Sequence, residues 1–167
     1  MVTLGLDAST TCVGYAFTED KKILDMGFID IKKEKTPKEK VQKVLDFLHQ
    51  ISYIDNVTKI NIEDNLSGFS GGRTSQQVIV KLAKFNAILG FVIEEEFGVT
   101  VENINPNTAR KQVFGKARIK GVPAKEYVKM KIEEKYDTKK WCKTTSRGNW
   151  DKRNIDAYDG LVMSLYE

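Results

Sequence analysis

Met1-Val-Thr-Leu-Gly5-Leu-Asp7-Ala-Ser-Thr-Thr-Cys-Val-Gly14-Tyr-Ala-Phe-Thr18 is the stretch on which the fold turns. Val2, Leu4 and Leu6 alternate up to Asp7, a polar Ser-Thr-Thr turn follows, and Val13, Tyr15 and Phe17 resume the alternation. Period-two patterning on both sides of a turn reads as a β-hairpin. Asp7 therefore closes a buried strand. A carboxylate there is costly to desolvate unless a cation or strong donors compensate it, which makes a metal a natural partner. The plainer alternative is an Asp capping a turn.

Two later segments repeat the theme. Val57 to Glu63 reads as a strand with Ile60 and Ile62 inward, and it ends in Glu63, followed by Asp64. Asn154 to Glu167 reads as the last helix, with Ile155, Leu161, Val162 and Leu165 as its apolar side. Asp156 and Asp159 are three apart and share a face, so they repel unless something positive sits between them. Asp7, Glu63, Asp156 and Asp159 together form a set of hard oxygen ligands with no Cys or His among them. Such a set suits Mg²⁺, with Mn²⁺ able to substitute. Several carboxylates can hold two ions roughly 4 Å apart, which clamp the attacking water and leaving oxygen of an in-line phosphoryl displacement.

Charge distribution supplies the substrate class. The 167 residues carry a net charge of +4, but residues 106–153 hold 15 Lys or Arg against 5 Asp or Glu. That segment is at +10 and the remainder at −6. The asymmetry points to a polyanion, the alternative being a solvated basic helix face. Beside the carboxylates, a basic segment implies a nucleic-acid phosphodiester. Length and a 41% hydrophobic content fit one compact domain spanning 1–167. No secretion signal is visible and the long apolar run is interrupted by charges, so a cytoplasmic protein without membrane contact is expected. Cys12 and Cys142 lack metal-site spacing and are expected to be reduced thiols.

The intervening elements follow from local signals. Ile23 to Ile31 is a third strand of the meander, with a bulge expected at Gly27. Thr36-Pro37-Lys38-Glu39 opens a helix with a capping box, carrying Val41, Val44, Leu45 and Leu48 inward, and His49 near its end reads as a solvated cation. Asn65 to Ser75 is a glycine-rich loop in which Phe69 could stack on a base and Arg73 grip a phosphate. Ser75 to Phe97 is a helix apolar on two sides, one facing the sheet and the other predicting a partner subunit. Val99 to Ile104 is a short strand, Asn107 or Thr108 caps a helix after Pro106, and another helix opens at Val122-Pro-Ala-Lys125. Asp137 to Arg153 has no clean period and reads as a loop.

These residues resemble a family, the RuvC-type Holliday junction resolvases of bacteria and their phages, within the RNase H-like nuclease superfamily. The resemblance is carried by Gly5-Leu-Asp7-Ala-Ser with Gly14-Tyr15, Ile62-Glu63 before the loop and long helix, and Asp156-Ala-Tyr-Asp159-Gly-Leu. Pro106-Asn-Thr-Ala-Arg110-Lys111-Gln-Val113-Phe-Gly115 is similar to the family's basic element, and Lys125-Glu-Tyr-Val128 to the start of its basic helix. The resemblance implies an α/β, RNase H-like fold: a mixed five-stranded sheet, with a meander of strands one to three plus parallel strands four and five, flanked by helices. It implies that Asp7, Glu63, Asp156 and Asp159 bind the ions and that the substrate is branched DNA. The second apolar side of the Ser75 to Phe97 helix, with the two-fold symmetry of a four-way junction, predicts a homodimer through that helix that makes paired nicks. The expected DNA contacts are Phe69, Arg73, Arg110, Lys111, Lys116, Arg118 and Lys125. The stretch from Lys116 to Pro123 and the Trp141 to Trp150 loop depart from the bacterial pattern, in keeping with a phage-encoded member.

Two other classes compete. Asp7-Ala-Ser-Thr-Thr also resembles the first phosphate loop of actin-like sugar kinases, but that architecture needs two copies of the fold and no internal repeat is visible. A non-catalytic DNA-binding or processing factor on the same fold would keep the basic segment while losing carboxylates.

Overall fold

The computed structural model describes residues 1–64 and 76–167. Strands β1 (Val2–Ala8), β2 (Cys12–Glu19), β3 (Lys22–Asp30), β4 (Val57–Glu63) and β5 (Val101–Ile104) form a single mixed sheet in the order β3-β2-β1-β4-β5. The first three are an antiparallel meander; β4 runs parallel to β1, and β5 parallel to β4. This is the RNase H-like arrangement expected above. The bulge is not at Gly27, which pairs regularly with Tyr15; the register slips instead between Phe17 and Thr18, skipping Leu24. Gly27 is small for another reason: a Cβ there would lie 3.0 Å from the Tyr15 hydroxyl.

Helices cover both faces. Against one lie α1 (Pro37–Leu48) and α2 (Gln76–Phe97), burying Val41, Val44, Leu45 and Leu48 of α1 and Phe85, Leu89 and Ile93 of α2 against Leu4, Leu6, Ile60 and Ile62. The α1 start is as read, with Thr36 and Glu39 capping each other's backbone and Pro37 in the first turn. His49 at its end is not simply solvated; its Nε2 lies 2.8 Å from Glu96 on α2. Among the described residues α2 is long and apolar enough to cross a membrane, yet its inner stripe is committed to the sheet.

The opposite face carries α5 (Asn154–Ser164), with α3 (Pro106–Phe114) and α4 (Ala124–Lys135) outside it. Helix α3 is capped not by Asn107 or Thr108 but by Asn105, which precedes Pro106 and whose Oδ1 accepts from the Asn107 and Thr108 amides. Helix α5 lies flush on the strands because glycines face it. A Cβ on Gly5 would fall 2.2 Å from the Gly160 carbonyl oxygen, and one on Gly14 1.8 Å from that of Asp156. Its C-terminal carbonyls are also met from the sheet: Asn61 Nδ2 donates to Met163 at 2.9 Å and Thr18 Oγ1 to Ser164 at 2.9 Å.

Candidate metal centre

Three elements converge at one end of the sheet. Asp7 projects from the α5 side of β1, because Leu6 and Ala8 on either side face the opposite core. Glu63 ends the adjacent parallel strand β4, with its carbonyl receiving Asn86 Nδ2 of α2 at 3.3 Å. Asp159 comes up from the second turn of α5, held at this depth by the glycine contacts. Oxygens of Asp7, Glu63 and Asp159 all lie within 4.8 Å of one another.

Asp156 stands one turn earlier and lies outside that trio. Its Oδ1 accepts from Lys125 Nζ at 2.7 Å, and the buried Cys12 thiol of β2 lies within the field of the same carboxylate. The helix face shared by the two aspartates is therefore split between a cluster and a flanking ion pair. Cys12 is reduced, as expected, and burial followed by the Asp156 charge raises its pKa. Nothing in the spacing of Cys12 signals this contact, because it arises from the close approach of β2 and α5 at Gly14.

Electrostatics mark the cluster as short of positive charge. Burial first, then the charges of Glu63, Asp159 and Asp156, push Asp7 well above the usual carboxylate range. Burial and Asp159 raise Glu63 to about 7, although Arg110 and Lys125 pull the other way. Asp159 is also raised, since burial outweighs its Arg110 partner. Burial works against the charged form of Lys125, but its bond to Asp156 and the surrounding carboxylates prevail and raise its pKa.

Arg110 is placed differently from the exposed DNA contact expected of it. It is 8% exposed and its Nη2 donates to Asp159 Oδ1 at 3.1 Å. Helix α3 therefore sends one cation into the carboxylates, while the neighbouring Lys111 is exposed. Lys116, Arg118 and Lys125 are also exposed. Phe69 and Arg73 lie outside the described residues, as does Ser75.

The residues fit a divalent ion. All donors are hard oxygens, and Glu63 Oε2 is buried without a hydrogen-bond partner. Four carboxylates against Arg110 and Lys125 leave a formal deficit of two charges. A bound ion would be held by Asp7, Glu63 and Asp159 with Asp156 beside them, and would supply Lewis-acid polarisation and charge compensation at a phosphodiester.

A search of family models found no match, and no curated protein matched by sequence. Solved structures do match over nearly the whole chain. Thermus thermophilus RuvC in complex with Holliday junction substrate aligns at TM-score 0.62 and 17% identity, covering 99% of this chain and 90% of that one. This chain has the RuvC-type resolvase fold. The yeast mitochondrial Holliday junction resolvase Ydc2 shares the RuvC-type fold at TM-score 0.58 and 13% identity, covering 97% of this chain and 75% of that one. Fowlpox virus resolvase with Holliday junction DNA aligns at TM-score 0.52 and 15% identity, over 99% and 95%. Within the RuvC-type fold, the clustered carboxylates sit on the two central parallel strands and the last helix.

Proposed function

We propose that this chain is a divalent-metal-dependent, structure-selective endodeoxyribonuclease that resolves Holliday junctions by paired nicks, with Mg²⁺ as its ion and Mn²⁺ able to substitute. The carboxylate cluster of Asp7, Glu63 and Asp159, on a fold shared with junction resolvases, carries this reading. Asp7, Glu63 and Asp159, with Asp156 flanking them, hold the charge that the ion requires. Arg110 fixes Asp159, and Lys125 spans Asp156 and the solvent, where a scissile phosphate arrives. Lys111, Lys116 and Arg118 continue the exposed basic surface, and Phe69 and Arg73, outside the described residues, are proposed as further DNA contacts on the sequence alone.

Pairing of nicks asks for two active sites. Val80, Ile88 and Phe91 are 49%, 40% and 67% exposed on the outward side of α2, and a two-fold dimer would bury them against their own copies. The inward residues Phe85, Leu89 and Ile93 belong to the sheet core instead. A four-way junction has matching symmetry, so two related centres reach opposing strands. Such a nuclease acts in the cytoplasm, bacterial or, for a phage-encoded chain, that of the host.

Cleavage of four-way junctions, flaps, forks and linear duplex, compared side by side with Mg²⁺, tests the proposal. Symmetric nicks confined to junctions support it. Binding without cleavage under any divalent ion would replace it with a non-catalytic junction-binding role.

A further inference from the structure

The segment before α5 has no helix or strand but is strongly built. Thr144 and Trp150 form an antiparallel bridge; the Thr145 amide donates to the Asn149 carbonyl at 2.7 Å and the Gly148 amide to that of Thr145 at 2.8 Å. Gly148 takes a left-handed φ of 79°, which closes this turn at no Cβ cost. The result is a small hairpin.

Its base is fastened from several sides. Asn154, 1% exposed at the start of α5, clamps the Lys143 peptide: its Oδ1 accepts from the Lys143 amide at 2.9 Å and its Nδ2 donates to the carbonyl at 2.8 Å. Trp150 packs 6.3 Å from Tyr158 of α5, and Lys129 of α4 sits 4.2 Å from the indole. Lys143 and Arg153 each place their charge 4.6 Å from the Phe28 ring on the sheet's edge strand.

The tip is left open. Every residue from Lys143 to Asn149 is exposed, and among the described residues no side chain of Thr144 to Asn149 bonds to the rest of the fold. From Thr138 to Trp150 there are four cations, Lys139, Lys140, Lys143 and Arg147, and no Asp or Glu. Shielding the β3 edge would account for the base. It would not account for an exposed polar tip carrying Arg147, with Lys139 and Lys140 exposed just before the hairpin and no acidic residue among them, which suits presentation to a polyanion. The position is specific as well: Asn154 and Asp156 are two residues apart, about 3 Å along the helix axis.

We propose that the Lys143 to Asp151 hairpin and the basic stretch leading into it form a DNA-arm clamp, in which Lys139 and Lys140 of that stretch and Arg147 of the tip contact backbone phosphates of the duplex arm beside the cut phosphodiester. Ser146 and Asn149 add hydrogen-bond donors at the tip. This rests on the branched-DNA reading above and extends its footprint to the side of α5 away from α3. Because the clamp is tied to the first residue of α5, an arm seated on it is indexed to the helix that carries Asp156 and Asp159.

Two full-length variants test the clamp in EDTA, by fluorescence anisotropy on a four-way junction and on a linear duplex across a salt series. The Lys139→Ala/Lys140→Ala/Arg147→Ala protein should bind the junction at least about tenfold more weakly. Its dependence of log affinity on log salt should be shallower by roughly one unit for each phosphate no longer neutralised. Asn154→Ala frees the base without removing charge, so affinity should fall several-fold with the salt slope intact. If the parent binds and cleaves junctions while the triple variant matches it in affinity and slope, the clamp is wrong and the nuclease reading stands. An unaltered affinity for Asn154→Ala overturns rigid presentation. If the parent cleaves nothing, the nuclease reading fails, and the duplex measurements still decide the clamp: loss of duplex binding in the triple variant upholds it, and a parent that binds no DNA overturns it.

Discussion

Arg110 Nη2 sits 3.1 Å from Asp159 Oδ1, a buried cation facing the most buried of the clustered carboxylates. Removing one partner of such a pair leaves the other charge uncompensated. Arg110→Ala should therefore destabilise the metal-free protein by about 3–5 kcal/mol, with saturating Mg²⁺ recovering part of the loss. Arg110→Lys, which keeps the charge and loses the fork, should cost less. Urea denaturation with EDTA and with Mg²⁺ checks both; an alanine variant as stable as the parent in EDTA would show that the pair contributes nothing net.

Asp7→Asn should abolish cleavage and leave junction binding in place or slightly tighter. The amide preserves shape, removes a ligand charge and lessens repulsion of the phosphate. Loss of a central ligand should lower the rate more than about a hundredfold. Faster turnover than that would take Asp7 out of the reaction.

Metal-free stability should fall as pH rises from 5 to 8. Glu63 titrates near 7 in the folded protein because of burial and Asp159, against an ordinary value of 4.5. Between those values the folded chain binds a proton that the unfolded chain has released. The stabilisation is thus complete below the lower value and lost through about 7, an effect on the order of a few kcal/mol. Thermal melts in EDTA should show the decline, Glu63→Gln should flatten it, and Mg²⁺ should raise Tm more at pH 8 than at pH 5. A melting temperature that rises over this range in the parent would contradict the assignment.

Glycine substitutions should divide sharply by position. Gly5→Ala puts a Cβ 2.1 Å from the Ser164 amide nitrogen and should cost at least about 3 kcal/mol. Gly90→Ala, inside α2, meets nothing nearer than 3.7 Å and should stabilise by up to about 1 kcal/mol through helix propensity. Equal effects at the two sites in chemical denaturation would contradict the flush packing of α5.

Light scattering should give a homodimer of about 38 kDa, twice the 19.0 kDa chain. Phe91→Glu, on the outward side of α2, should yield a folded monomer. Leu89→Glu, 0% exposed against the sheet, should unfold the protein instead of dissociating it. A monomeric parent, free and on a junction, would leave only single-strand nicking.

Much of this architecture is legible in the residues. Alternation places Asp7 at a strand end, and the capping box at Thr36 marks α1, because both are local signals. The inward turn of Arg110 is not legible, since its neighbour Lys111 is as basic and only the packing of α3 on α5 separates their roles. Asp156 shares a helical face with Asp159, yet Lys125, 31 residues away in the chain, draws it into a separate pair. The hairpin before α5 escapes a reading by pattern because its bonds run between backbone groups and the Asn154 amide, and such bonds leave no hydrophobic period.

Gly5, Gly14 and Gly160 bring main chain against main chain beneath the carboxylates. The gap between the strand carboxylates and the helix carboxylate is thereby gauged by peptide groups, which do not repack. Exchanging Leu161 or Val162 for another apolar residue would alter stability without re-spacing the oxygens. Re-spacing the oxygens would require lifting the whole helix, so their separation is written into the backbone and the surrounding side chains are free to drift.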